Sequence, residues 1–264
     1  MLFSPLLQPA KELTHQSSIE INENVKQLDV DQFGNIYLVI NEELKKLDPK
    51  GKFLCSYSDP VQGDISLVDL LNPMNPLIYY QNSNLLRVLD NRLNQGREYN
   101  LSFRFQDPKS IAAAANNSIW LYDQNADQMI LFQLDQNQIL NRSPILSQIL
   151  ETEEVEVLDF QASFDQVIVH LQVGESQSLL IFDAQGAFEQ KIKLLNEVQS
   201  WDYHNKEILV LYTNNSLQFI NLLNLQAEIQ LSPLENTQQL FYYPPALYLK
   251  SGHQLHQYRV QAPK

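Results

Sequence analysis

Four aspartates each end a short apolar run, and carboxylates in such repeated positions can do chemistry. They lie in the segments QLD, LVD, VLD and SWD, as Asp29, Asp69, Asp159 and Asp202. If these runs are equivalent strands of a repeated sheet, the four side chains converge at one mouth of a central channel. There they could hold a cation or a basic peptide. The alternative is that each accepts backbone N–H bonds from the neighbouring sheet or turn.

A second set of aspartates follows apolar runs and opens polar segments, and we interpret it differently. Its members are Asp48, Asp90, Asp135 and Asp183. Asp commonly bonds the backbone two residues further along and so favours turns. We therefore predict ordinary turn chemistry at these four positions.

The remaining reactive side chains do not form a catalytic motif. His253 and His256 have i, i+3 spacing, but residues three apart on a strand point to opposite faces, which disfavours a shared metal. The single cysteine, Cys55, lies in an apolar-alternating run typical of a buried, inert thiol. The sequence contains no HExxH, P-loop, GxSxG or GxGxxG motif. We predict no enzyme activity, no catalytic residues, no metal site and no cofactor.

The charge balance restricts the partners. The chain of 264 residues carries 31 acidic and 18 basic residues, a formal net charge of −13. Nucleic acids and anionic membranes attract clustered Lys and Arg, so neither is expected as the main partner. The acidity serves either solubility or a specific basic partner. No apolar run reaches 18 residues, so we expect no membrane-spanning helix and no integral membrane protein.

Short β-prone runs recur along the whole chain. Starting from IYLV at residue 36, comparable runs are LIYY, IWLY, VIVH, ILVL and ALYL, at steps of 38 to 48 residues. Each of the first five is followed by a second apolar run that ends in Asp or Asn, and turn-forming clusters lie between the runs. Six copies of a unit of about forty residues indicate repeated four-stranded sheets.

Such sheets arranged radially form a β-propeller, and we predict six blades of four antiparallel strands. The last copy runs out after three strands, whereas SSIEI at residues 17–21 precedes the first copy as a spare strand. We expect this N-terminal strand to complete the last blade and close the ring, so that residues 17–264 form one domain. Residues 143–158 could hold a turn or two of helix.

The N-terminal residues 1–16 are predicted to lie outside the propeller. They begin with an apolar stretch, MLFSPLLQPA, and then turn polar. This pattern fits the remnant of a secretory signal whose start lies upstream, or a flexible extension. The first interpretation implies export.

Residues 241–245, FYYPP, form the densest aromatic patch. The Pro pair cannot donate to a central ladder, so the segment is an edge or a loop. It could contact a partner or pack between blades.

Two resemblances add to this interpretation. The stretch DQFGNIYLV…LKKLDPKGKF is similar to NHL-type propeller repeats, whose lyase members use histidines from several blades to bind metal. This chain has no matching histidine set, which argues against that activity.

Residues 65–94 resemble a segment of small envelope propeller proteins from Bacteroidota. The matching positions are Asp69, Asn72, Pro73, Leu89, Asp90, Asn91, Leu93 and Asn94. This resemblance implies a periplasmic or exported protein bound to an envelope or outer-membrane protein. It suggests an accessory subunit of outer-membrane machinery such as the type IX secretion translocon.

The function predicted from the sequence is therefore a non-enzymatic interaction or scaffold propeller of the bacterial cell envelope. The alternative is a ligand- or cation-binding propeller, sensory or hydrolytic, whose site uses the first aspartate set at the channel mouth. A cytoplasmic scaffold is a third alternative.

Overall fold

The structure, a computed structural model, describes residues 11–21, 24–105, 108, 110–224 and 226–261. Among these residues the strands form six sheets of four antiparallel strands. The fold is a six-bladed β-propeller, which confirms the predicted class. The blades divide into a four-blade unit and a two-blade unit.

The four-blade unit contains the blades that follow one another along the first two thirds of the chain. Strands are numbered in chain order, so the N-terminal strand is β1 (Glu12–Glu20) and blade 1 begins at β2. Blade 1 contains β2 (Gln27–Val30), β3 (Ile36–Ile40), β4 (Glu43–Leu47) and β5 (Phe53–Ser58), and blade 2 contains β6 (Leu67–Asp69), β7 (Leu77–Tyr80), β8 (Leu85–Leu89) and β9 (Gln95–Asn100). Blade 3 contains β10 (Ile111–Ala114), β11 (Ser118–Asp123), β12 (Gln128–Gln133) and β13 (Gln138–Arg142). Blade 4 contains β14 (Glu156–Ala162), β15 (Gln166–Val173), β16 (Ser176–Asp183) and β17 (Phe188–Lys193).

The two-blade unit contains the last two blades. Its strands are β18 (Val198–His204), β19 (Glu207–Tyr212), β20 (Ser216–Asn221) and β21 (Gln226–Leu231) in blade 5; and β22 (Gln239–Tyr243), β23 (Ala246–Ser251), β24 (Gln254–Gln261) and β1 in blade 6.

The second and third strands of each blade supply most of the core. β3 reads IYLVI and β15 reads QVIVHLQV, and both are buried along most of their length. In the four-blade unit, apolar clusters lie between blades 1 and 2, 2 and 3, and 3 and 4. In the two-blade unit, one such cluster joins blades 5 and 6. The repeated runs in the sequence are these inner strands.

The predicted N-terminal closing strand is confirmed, and it is longer than expected. β1 pairs antiparallel with β24, from Glu12 opposite Gln261 to Glu20 opposite Gln254. It thus begins five residues before the predicted boundary at residue 17. Residues 1–10, which hold most of the predicted signal remnant or extension, lie outside the described residues.

The polar turns follow the predicted Asp chemistry at three of four positions. Asp48, Asp90 and Asp183 each accept the backbone N–H groups two and four residues further along, at 2.8 to 2.9 Å. Asp135 differs, because it accepts the Tyr99 hydroxyl at 2.7 Å and contacts Arg97 from blade 2. Asp135 therefore joins blades 2 and 3. The spacing of residues along the chain does not reveal this contact.

Two smaller expectations are also settled. Residues 143–158 contain one short helix, α1 (Leu146–Leu150), as predicted.

The Pro pair of FYYPP lies in the turn between β22 and β23. Tyr242 is buried, and the Tyr243 ring lies 4.9 Å from the His204 ring of blade 5. The aromatic residues therefore pack between blades.

Candidate functional site

Asp69 lies at the end of β6 and joins two blades of the four-blade unit. One carboxylate oxygen, Oδ1, accepts the N–H of Leu71 at 2.8 Å. The other, Oδ2, accepts the N–H of Ala113 in β10 of the next blade, also at 2.8 Å. Burial raises the pKa of this carboxyl above its usual range. The Asp69 side chain thus holds β10 in place through the backbone N–H of Ala113.

Asp202 has the same arrangement in the two-blade unit. Its Oδ1 accepts the N–H of Tyr203 at 2.8 Å, and its Oδ2 accepts the N–H of Tyr242 in β22 at 2.6 Å. Burial raises the pKa of Asp202 to about 7, and the two N–H groups oppose that rise only in part. For Asp69 and Asp202 the structure therefore contains the cross-blade backbone bonds that were the alternative to a binding site.

The other two aspartates of the set belong to the four-blade unit. Asp29 in β2 accepts the N–H of Val30 at 2.7 Å. Asp159 in β14 accepts the N–H of its own neighbour, Phe160, and has no second donor among the described residues. Its pKa is raised to about 6, because the surrounding protein disfavours the charged form. A shared channel-mouth site formed by all four aspartates stays a prediction.

Two of the histidines lie close together, and the described residues show no site with three or more histidine ligands for a metal. His253 lies in the β23–β24 turn and His256 in β24. His256 and His15 of β1 both bond the Ser18 hydroxyl, each at 2.8 Å. Within the described residues, no group of three or more His, Cys, Asp or Glu side chains is arranged to hold a metal ion.

Asp159 opens into a cavity of about 990 Å³ between blades 3 and 4. Its polar lining includes five carboxylates: Asp123, Asp127, Glu153, Glu156 and Asp159. Arg104 also reaches the cavity, but its guanidinium bonds the side-chain and main-chain oxygens of Asn137 at 3.4 and 3.2 Å. The cavity is therefore acidic.

The five carboxylates form two groups, of which the first bonds a turn or a helix start and the second makes no ion pair. Asp127 accepts the Tyr122 hydroxyl at 2.8 Å and the Ser147 N–H at the start of α1 at 2.7 Å. Asp123 accepts two N–H groups of the turn that follows β11. Glu153, Glu156 and Asp159 line the cavity and make no ion pair among the described residues.

A β-bulge in β14 shapes the part of the cavity wall that this strand forms. Val157 pairs with Leu171 and Asp159 with His170, so Leu158 is the extra residue. A bulge breaks the normal alternation of a strand and redirects side chains. Leu158, 41% exposed, and Asp159 both line the cavity as a result. An apolar and an acidic group therefore lie side by side.

Sequence reasoning singled out Asp159 but missed Glu153, Glu156 and Leu158. A signal was present in ETEEVEVLD, residues 151–159, where acidic and apolar residues alternate before a strand. Most of that stretch falls within residues 143–158, for which the sequence predicts a turn or two of helix. The helix ends at Leu150, and the acidic part of the stretch runs on into β14.

Comparison with solved structures supports the fold. The Neurospora crassa Pan2 WD40 domain matches with 8% identity and a TM-score of 0.58, covering 98% of each chain. A chain of the mitotic checkpoint complex matches with 10% identity and a TM-score of 0.62, covering 98% of this chain and 97% of that one. A streptogramin B lyase matches with 13% identity and a TM-score of 0.59, covering 91% and 80%.

These similarities place the chain in the class of β-propeller folds. At such low identity they concern the fold alone. No protein-family model matches the sequence, and no curated protein matches it. Among the described residues, no helix is long and apolar enough to cross a membrane.

Proposed function

We propose that this protein is a non-enzymatic protein-interaction module of the bacterial cell envelope. The specific assignment is an accessory subunit of an outer-membrane complex such as the type IX secretion translocon. The resemblance of residues 65–94 to envelope propellers supports the location. The interaction role depends on a surface feature of blade 5.

The observation that carries the interaction role is the apolar row on β21. This strand is the outer strand of its sheet, so one backbone edge is unpaired within the sheet. Ala227, Ile229 and Leu231 alternate along it and are exposed, Leu231 to 77%. Leu223, in the preceding turn, is 78% exposed. Exposed apolar edges promote association with another chain, and contiguous exposed apolar residues mark interaction sites.

The test is affinity purification of the tagged chain from its native host. The wild-type chain should recover a stoichiometric envelope protein, and the double variant Ile229→Lys/Leu231→Lys should lose it. Leu140→Lys is the matched control, because Leu140 is exposed on β13, the outer strand of blade 3. Recovery of the wild-type chain alone in several detergents would contradict the proposal, as would retention of the partner by the double variant.

The location is tested separately by cell fractionation with the same tagged chain. An envelope protein should appear in the periplasmic or outer-membrane fraction. Recovery in the cytoplasmic fraction together with a cytoplasmic partner would favour the cytoplasmic scaffold.

A further inference from the structure

Two histidines from opposite ends of the chain meet on one face of blade 6. His15 lies in β1 and His256 in β24, and these two strands pair with each other. The two ring centroids are 6.0 Å apart. His15 Nε2 and His256 Nδ1 each lie 2.8 Å from the same atom, Ser18 Oγ. Two imidazole nitrogens therefore converge on one hydroxyl group.

A β-bulge in β1 brings His15 and Ser18 to the same face of the sheet. Residues three apart on a regular strand point to opposite faces. The register of β1 shifts between His15 and Ser17, so Gln16 is an extra residue in this strand. As a result, His15 and Ser18 both point to the face that carries His256. The spacing of residues along the chain does not reveal this arrangement.

The surroundings of the two rings favour metal binding. The His15 ring meets the ring of Tyr258 edge-on, with the centroids 5.3 Å apart, and Tyr258 is buried. His256 is half-buried, and its burial together with the neighbouring His15 lowers the pKa of the imidazole. The His256 ring is therefore mostly neutral at pH 7.5, and neutral imidazole is the form that binds metals.

The distances between these atoms fit a particular coordination geometry. Imidazole nitrogens bind Cu²⁺, Ni²⁺ and Zn²⁺. Two ligands about 2.0 Å from a metal are about 2.8 Å apart if they meet at a right angle, and about 3.3 Å apart if they meet at the tetrahedral angle. The separation of 2.8 Å between Ser18 Oγ and each nitrogen corresponds to the right angle. Square-planar or octahedral Cu²⁺ or Ni²⁺ therefore fits better than tetrahedral zinc.

We propose that His15 Nε2 and His256 Nδ1 bind one Cu²⁺ or Ni²⁺ ion, with the Ser18 hydroxyl in a neighbouring position. The described residues offer no group of three or more His, Cys, Asp or Glu ligands, so water completes the coordination. The ion links β1 to β24 and so stabilises the N-terminal strand that completes blade 6. This site lies apart from the β21 row and is independent of the proposed interaction function.

Isothermal titration calorimetry with the purified full chain tests the site, after removal of the affinity tag and of bound metal. CuCl₂ and NiCl₂ are titrated separately at pH 7.5. MgCl₂ is the control, because Mg²⁺ prefers oxygen ligands. One equivalent of Cu²⁺ or of Ni²⁺ should bind, whereas Mg²⁺ should give no heat of binding. Electron paramagnetic resonance of the Cu²⁺ complex should show hyperfine coupling to two nitrogens.

Three variants locate the site. His15→Gln and His256→Gln each remove one ligand and should weaken Cu²⁺ binding at least tenfold. Ser18→Ala leaves both nitrogens in place and should weaken binding about threefold. The matched control is His253→Gln, which removes the exposed histidine of the β23–β24 turn and should change the affinity less than twofold. Circular dichroism confirms that each variant is folded.

Urea unfolding tests whether the ion links the two strands. A ligand that binds only the folded state stabilises it, so excess Ni²⁺ should raise the urea midpoint of the wild-type chain. His253→Gln should show the same rise, and His15→Gln should show none.

Several results would overturn the proposal. They are no binding of either metal to the wild-type chain, full Cu²⁺ affinity in His15→Gln, or the same nitrogen coupling in His15→Gln as in the wild-type chain. A tenfold loss of affinity in His253→Gln would place the ion on a different pair of histidines. An unchanged urea midpoint in excess metal would show that the ion does not link β1 to β24.

Discussion

The carboxylate of Asp202 accepts the backbone N–H of Tyr242 at 2.6 Å, and this bond joins β18 of blade 5 to β22 of blade 6. The same carboxylate also bonds the N–H of Tyr203 in its own strand. One side chain thereby fixes the backbone of two adjacent sheets. The Asp69–Ala113 contact repeats this arrangement in the four-blade unit.

The Asp202→Asn variant should have a different pH dependence of stability from the wild-type chain. The pKa of Asp202 is raised to about 7 in the folded chain, against about 3.9 when unfolded. Between these values the folded state holds a proton that the unfolded state releases, so the wild-type free energy of unfolding falls as pH rises. The stability difference, wild type minus variant, should fall by at most about 1.4 kcal/mol per pH unit from pH 4 to 7. Urea unfolding at several pH values measures it, and parallel curves for the two proteins would contradict the prediction.

Replacement of Asp69 and of Asp159 by Asn should change the free energy of unfolding to different extents, because only Asp69 bonds the backbone of the next blade. Asp69→Asn cannot accept both the Leu71 and the Ala113 N–H, and should lower the free energy of unfolding by about 1–3 kcal/mol. Asp159→Asn loses no cross-blade bond, and at pH 7.5 it removes a charge whose ionisation the surroundings disfavour. It should cost less than about 0.5 kcal/mol or increase stability. A large loss at Asp159, measured by urea unfolding, would indicate a structural role.

Two ion pairs of similar length should differ in their contribution to stability. Lys11 bonds Glu207 at 2.8 Å and lies over the Phe219 ring, and both partners are mostly buried. Lys11→Ala should cost about 1–3 kcal/mol, because Glu207 loses its countercharge in a partly buried place. Lys26 bonds Asp64 at 2.6 Å with both side chains about half exposed, so Lys26→Ala should cost less than about 1 kcal/mol. Thermal unfolding compares the two, and equal losses would show that burial does not decide the contribution.

Gly96→Ala should destabilise the chain more than Gly174→Ala. A Cβ at position 96 would lie 2.4 Å from the backbone oxygen of Val88, so β8 and β9 would have to separate. We expect a loss of about 2 kcal/mol or more, as for other overpacked sites. Gly174 has a φ of +57° but open space around it, so alanine there should cost about 1 kcal/mol. Chemical denaturation of both variants measures the difference, and the reverse order would contradict it.

Much of the architecture was predictable because it depends on local patterns. IYLV and its counterparts are short, apolar and β-prone, and the spacing of about forty residues requires four strands per blade. Turn positions such as Asp48 were predictable because Asp bonds the backbone nearby in the chain. Asp135 was not, since its partners Arg97 and Tyr99 are 38 and 36 residues away.

By itself, therefore, the sequence determined the number of repeats, the strand content, the N-terminal strand of blade 6 and the acidic character of the protein. Only the tertiary structure decided which aspartates bond the backbone of a neighbouring blade and which do not. Asp69, Asp159 and Asp202 look alike in the sequence, because each ends a similar apolar run. They differ in whether the neighbouring blade offers an N–H to the carboxylate, and only the packing of one blade against the next decides that.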